Sequence, residues 1–268
     1  MTAVDRICAA LAATGIPRLL GAPGPLVLML HGLGGADGVD PGLFDTALDR
    51  LRARRRVVPL AQAVAALGAP EARGLAAVTF DDGYVDFAEH ALPALARRGL
   101  HATLFVPAGR LGGTNVWDAG RAAERKLLDA AALRALDPAH VEIGAHGMTH
   151  CRLFGLAPHA LREETAGARC ALEDACGRSV RFFAYPYGQL DDFDAAAEAA
   201  VAAAGFEAAC STHFGRGSAP AERFRLRRVG IEPRDTLATL TRKLDGAYDW
   251  TSAKERLGAR LRRARRAA

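Results

Sequence analysis

Seven short apolar runs recur along this chain, and between them lie segments long enough to be helices. The runs cover residues 26–31, 75–80, 102–106, 140–145, 181–185, 206–211 and 224–231. Helical patterns fill about 42–54, 84–98, 128–136, 158–176, 192–204 and 235–245. Strands that alternate with helices pair in parallel, with the helices packed outside. The spacing predicts an α/β chain, a distorted (β/α) barrel of about seven parallel strands, rather than an open sheet. Half of the 268 residues are hydrophobic, so the core such a barrel needs can be filled. The expected organisation is one barrel domain over residues 1–250 and a basic helical tail over 251–268. In barrels of this kind the chemistry sits at the C-terminal ends of the strands.

Two of the runs end in residues that carry chemistry. "TFDDGY" closes the second run with two adjacent carboxylates, Asp81 and Asp82. Side by side in an apolar setting, two like charges need a cation nearby. "HGMTH" follows the fourth run and places His146 and His150 four residues apart. On a helical turn the two imidazoles share one face and can grip one ion. A barrel brings both motifs to one rim. A His, His, Asp set with an open position suits a divalent metal, zinc in the simplest case. One carboxylate is then a ligand, and its neighbour is free to act as a base. A third strand end reads "FFAYPYG", where Pro186 and Gly188 fix a turn able to aim an N–H at an oxyanion.

"TFDDGY", "HGMTH" and "FAYPYG", in this order, resemble the polysaccharide deacetylase family, carbohydrate esterase family 4, with its nodulation-protein-type deacetylase domain. The resemblance covers roughly residues 26–231. It implies a distorted barrel and metal-dependent removal of N- or O-acetyl groups from sugars. It also implies roles: Asp81 the general base; Asp82, His146 and His150 the metal ligands; Tyr187 the residue whose backbone N–H holds the oxyanion. Gly147 and Thr149 are read as spacing residues of no special weight.

The chain departs from the family pattern twice. The third motif commonly opens with an Arg that orients the base, and here that position is Ala184. Arg228, in "RLRRVGI" on a later strand, is expected to supply the guanidinium from another direction. The usual late Leu-x-His motif is absent after residue 190, and His213 there reads as a loop residue. "LVLMLHGL" instead ends a strand near the N-terminus in His31. This resembles the circularly permuted branch that acts on poly-N-acetylglucosamine, and it makes His31 the expected general acid. An alternative for "HGLGG", an oxyanion loop of a serine hydrolase, lacks its G-x-S-x-G partner. The long loop 107–126 carries Asn115, Trp117 and Asp118, similar to a loop near the sugar site; Trp117 is expected to stack on a sugar ring or to anchor the loop.

Charge narrows the partners. Residues 254–268 hold seven Lys or Arg and one Glu, so the rest of the chain is near neutral. The body lacks the basic stripe of a nucleic-acid-binding domain, so no nucleic acid is expected. The tail reads as a solvated helix or as a contact for anionic lipid headgroups. Cys8, Cys151, Cys170, Cys176 and Cys210 are dispersed, without a CxxC pair, as in a reducing compartment. No stretch reaches the roughly 18 apolar residues of a membrane span. The expected location is the cytoplasm, at the membrane face. The expected substrate is an acetylated amino sugar in an oligosaccharide or a lipid-linked precursor. Two alternatives are a metal-free relative that hydrolyses a C–N bond of a small molecule, and an inert glycan-binding module.

Overall fold

A computed structural model describes residues 2–19 and 24–267. Its sheet is built from eight parallel strands: β1 (Leu26–Leu30), β2 (Arg56–Val57), β3 (Leu75–Phe80), β4 (Ala102–Val106), β5 (Val141–Ala145), β6 (Phe182–Ala184), β7 (Ala208–Phe214) and β8 (Leu226–Gly230). The order is β1-β8-β7-β6-β5-β4-β3, and pairing of β1 with β3 closes a seven-stranded barrel. The two-residue β2 adds on at the start of β3, pairing Arg56 with Leu75. All seven apolar runs become strands, and the expected barrel is the observed one.

The strands are apolar on both faces because both faces are covered. Leu26, Leu28, Leu30, Ala76, Val78 and Phe80 point outward into the core beneath the surrounding helices. Val27, Ala77, Phe105, Phe182 and Cys210 point inward and fill the barrel. The helix Leu60–Ala65, which the sequence reading missed, adds Leu60, Ala63 and Val64 to that inner cluster. It follows β2, so it closes the N-terminal end and leaves the other end open for the site.

Side chains alternate across a strand, and this parity decides which residues reach the inside. Leu75, Ala77 and Thr79 lead to Asp81; Val27 and Met29 lead to His31; Glu142 and Gly144 lead to His146. Gly144 shows how tight the inner layer is. A Cβ there would lie 2.4 Å from Cδ1 of Phe105, so only glycine fits.

Helix boundaries follow their caps. Asp40, Asp129 and Asp194 accept hydrogen bonds from the N–H groups of Leu43, Ala132 and Ala197. The Asp194 cap explains why the helix expected from 192 starts at Ala195. β7 runs further than expected, to Phe214, so His213 lies on a strand and not in a loop. It is buried, with Nε2 3.3 Å from the Ser252 carbonyl of the C-terminal helix Thr251–Ala267. Glu255 of that helix accepts from the Phe214 N–H at 3.1 Å. The side chains from residue 260 onward, with most of the tail's positive charge, lie outside the described residues. All five cysteines are free thiols.

Candidate metal centre and catalytic pocket

His31, Asp81, Asp82, Trp117, Asp118, His146, His150, Tyr187 and Thr212 line one pocket of about 110 Å³ at the C-terminal rim of the barrel. The chain thus brings His31, the Asp81–Asp82 pair, His146, His150, Trp117, Asp118 and Tyr187 to one place. Three of these residues share an unusual backbone. Among the described residues, the non-glycine positions with positive φ are Asp82 (73°), His150 (65°) and Tyr187 (61°). Each such conformation costs about 1–3 kcal/mol and persists only where the surroundings impose it. That all three border one pocket marks it as the place where strain is stored.

Asp82, His146 and His150 each turn one ligand atom inward, and these atoms lie within 4.8 Å of one another. Asp82 Oδ1 is 3.4 Å from His146 Nε2 and 3.2 Å from His150 Nε2. None of these contacts has hydrogen-bond geometry, and Oδ1 is buried without a hydrogen-bond partner. His146 Nδ1 lies 2.8 Å from the Ala184 carbonyl. A carbonyl only accepts, so the proton belongs on Nδ1 and the Nε2 lone pair faces Asp82. Buried acceptors aimed at one another require a positive charge between them. A second proton on His146 is one remedy. Burial disfavours it, but the Asp82 and Asp81 carboxylates outweigh burial and raise the imidazole's pKa. A divalent cation satisfies all three atoms at once, and one carboxylate oxygen with two imidazole nitrogens is a donor set that fits zinc. Burial and the neighbouring Asp82 carboxylate push the Tyr84 hydroxyl's pKa up.

The expectation of a helical turn at 146–150 is not met. The segment is a loop, with left-handed Gly147 and His150, and loop geometry rather than helical periodicity brings the imidazoles together. Glu164 shapes that loop. Its carboxylate accepts from the Met148 N–H at 2.8 Å, the Thr149 N–H at 3.1 Å and the Thr149 hydroxyl at 2.6 Å. Thr149 and Gly147, read from the sequence as mere spacing, are therefore part of the construction. The HisxxxHis spacing gave no sign of Glu164, which lies 14 residues after His150 on another element.

Asp81 is not one of the three residues whose ligand atoms converge. Arg228 grips it through two parallel bonds, Nη1 to Oδ1 at 2.7 Å and Nη2 to Oδ2 at 2.6 Å. Arg228 is fully buried, and it also donates to the Ser211 carbonyl at 2.8 Å and to Thr79 Oγ1 at 3.2 Å. The guanidinium on Asp81 comes from β8, and Ala184 on β6 carries none. Burial pushes the Asp81 carboxyl up, but the charges of Arg228 and His146 more than offset it, so it stays ionised. Burial likewise acts on Asp82, and the contacts with His146 and His150 hold it well below the usual carboxylate range. The positive form of His31 lowers both carboxyls.

This pair is testable by its stability. Removing one partner of a buried ion pair costs about 3–5 kcal/mol. Arg228→Leu therefore lowers Tm by roughly 6–20 °C in a domain of this size, measured by calorimetry. A shift of less than about 2 °C would contradict the buried pairing.

Trp117 settles against the protein rather than standing free. Its ring stacks on His150, centroids 4.0 Å apart at 19°. Asn115 anchors the loop, accepting from the Arg125 N–H at 2.7 Å and donating to the Ala123 carbonyl at 3.1 Å. Tyr187 sits in the "YPYG" turn; its carbonyl accepts from Thr212 Oγ1 at 2.9 Å, and the Arg152 guanidinium lies 4.1 Å from its ring centre. The "HGLGG" loop is tied down by Asp86, which accepts from the Leu33 N–H at 2.8 Å and from Arg125 at 2.6 Å. A larger groove of about 810 Å³ shares His31, Tyr187 and Thr212 with the pocket.

Comparisons with known proteins bear on the family and the fold. A family model described as polysaccharide deacetylase matches residues 68–209, just over half of the chain. His31 and Arg228 lie outside the matched span. YxkH of Bacillus subtilis, named for the same family, is 24% identical over 156 residues, covering 58% of this chain and 51% of its own length. The chain thus spans about half of that curated relative. Among solved structures, IcaB from Ammonifex degensii aligns with a TM-score of 0.71 at 22% identity, over 85% of this chain and 98% of that one. The Streptococcus pyogenes deacetylase PplD, solved in complex with acetate, aligns with a TM-score of 0.68 at 21% identity, over 84% and 98%. At such identities the two structures speak for the fold alone.

Proposed function

Because the chain belongs to the polysaccharide deacetylase family, we propose that it hydrolyses the N-acetyl group of an amino sugar in a glycan or a lipid-linked glycan precursor. The observation that carries this reading is the convergence of Asp82, His146 and His150 beside an Arg-bound Asp81 in one small pocket. Asp82 Oδ1, His146 Nε2 and His150 Nε2 would hold a divalent metal, zinc by its donor set. When bound, the metal supplies Lewis-acid activation of an acyl carbonyl and of water.

The chain's own residues supply the rest. Asp81, kept ionised and oriented by Arg228, takes the proton from the attacking water. The Tyr187 N–H, in its strained turn, donates to the oxygen that becomes negative. His31 delivers a proton to the leaving nitrogen, which departs as an amine. The pocket's 110 Å³ amounts to a few water volumes, which suits a short acyl group and excludes a fatty chain. The adjoining groove gives room for the sugar rings. O-acetyl and formyl groups are the nearest competitors for the same pocket. The test is the product pair: acetate and free amine in equal amounts from N-acetylhexosamine oligomers. Acetate without amine would move the reading to O-acetyl esters.

The cytoplasmic location at the membrane face belongs to the same proposal. Five arginines in residues 260–268 suit an anionic lipid surface. Deleting those nine residues should lower co-sedimentation with phosphatidylserine vesicles. Binding that is unchanged would remove the membrane contact.

A further inference from the structure

Glu164 occupies a place that the helix would ordinarily fill with an apolar residue. It stands in the buried stripe Leu161, Thr165, Ala168, Leu172 and Cys176, and is only 5% exposed. A π turn over Glu163–Gly167 widens the helix at this point, between Pro158–Arg162 and Ala168–Cys176. Such turns recur at functional sites. A carboxylate buried there is costly unless donors satisfy it.

The donors all come from one loop. Met148 N–H, Thr149 N–H and the Thr149 hydroxyl bond to the Glu164 oxygens at 2.8, 3.1 and 2.6 Å. One carboxylate therefore holds the two residues that lead into His150. The backbone comes so close that a Cβ on Gly147 would lie 2.8 Å from Glu164 Oε2.

His150 needs such a hold. Metal-binding histidines usually fix their ring by donating the other N–H to a protein acceptor. His146 does so, through Nδ1 and the Ala184 carbonyl. His150 Nδ1 is buried and has no hydrogen-bond partner. Its orientation rests on the Trp117 stack and on a backbone at φ 65°, a conformation that a non-glycine residue keeps only under constraint.

We propose that Glu164 is a positioning residue for the metal centre: it fixes His150 through the loop backbone, in place of the missing bond to the ring. The inference rests on the metal-centre reading given above. It predicts that binding is lost when the acceptor is lost, and kept when only the charge is lost. Glutamine can accept the two N–H bonds with its carbonyl oxygen, and its NH₂ can donate to the Thr149 hydroxyl.

The test is a zinc titration of apo-protein against a chromophoric chelator, for the wild type, Glu164→Ala, Glu164→Gln and Thr149→Ala, each checked as folded by circular dichroism. The expected result is a 10–100-fold weaker affinity for Glu164→Ala, as for other residues that orient ligands. Glu164→Gln should stay within about threefold of wild type, and Thr149→Ala should fall between the two. Wild-type affinity in folded Glu164→Ala overturns the inference, as does an equal loss in Glu164→Gln, which would make the effect one of charge. Should Glu164→Ala fail to fold, Glu164→Leu takes its place, since it removes both acceptor oxygens and fills the buried position with an apolar side chain; wild-type zinc affinity in that variant overturns the inference. Wild-type protein that takes up no zinc sinks the metal-centre reading itself, a different failure.

Discussion

Asp81→Asn should lower kcat by about 10²–10⁴, the usual contribution of a positioned general base, with one metal ion still bound per chain. The two halves of this result are independent. Asp81 is not among the three atoms that converge on the metal position. Its oxygens are turned to Arg228 instead. Asparagine keeps the shape and one acceptor for the guanidinium, but cannot take a proton at neutral pH. It also leaves Arg228 buried without its counter-charge, so the variant is less stable. Rates therefore need comparing well below the variant's own Tm. A near wild-type rate would contradict the base assignment. Loss of metal together with activity would mean that Asp81 is a ligand and that the two carboxylates have been assigned the wrong way round.

His31→Gln should lower kcat on an N-acetyl sugar by about 10²–10⁴ as well, by removal of the general acid. The mechanism also fixes where the loss should vanish. An amine leaves only when protonated, whereas the phenolate of an aryl acetate leaves without help. The variant should therefore lose far less activity on an aryl acetate than on the sugar amide. An equal loss on both substrates would show that His31 binds or positions and does not protonate. His31 lies next to Asp81 across the β1–β3 pair, since the Asp81 N–H donates to the Leu30 carbonyl at 2.9 Å. Its place at the front of the chain is thus no obstacle, because the first strand closes the barrel.

Much of this was legible in the sequence, for physical reasons. Strands buried on both faces leave continuous apolar runs, so all seven barrel strands could be read directly. Residues that end such runs sit at one rim, so Asp81, Asp82, His146 and His31 could be gathered before any coordinates. Arg228 was legible only as a substitute for the residue missing at Ala184, and the bidentate pair with Asp81 supports that reading of its place. What could not be read depends on backbone conformation and on contacts distant in sequence. The loop at 146–150 imitates a helical spacing, yet two left-handed residues break it. Glu164 and the Asp86–Arg125 pair act across elements, and no local pattern announces them. Trp117 packs on His150, a contact that composition does not disclose. The helix Leu60–Ala65 was missed because six residues give too short a period to recognise.

The central claim is that the Asp82–His146–His150 cluster is a working metal site for sugar deacetylation. It is tested most directly by acetate release from N-acetylhexosamine oligomers, followed before chelation, after chelation and after zinc is added back. The account predicts release that stops on chelation and returns with the metal, and no return in Asp82→Ala. Release that continues undiminished in metal-free protein would contradict it and would put metal-free hydrolysis in its place.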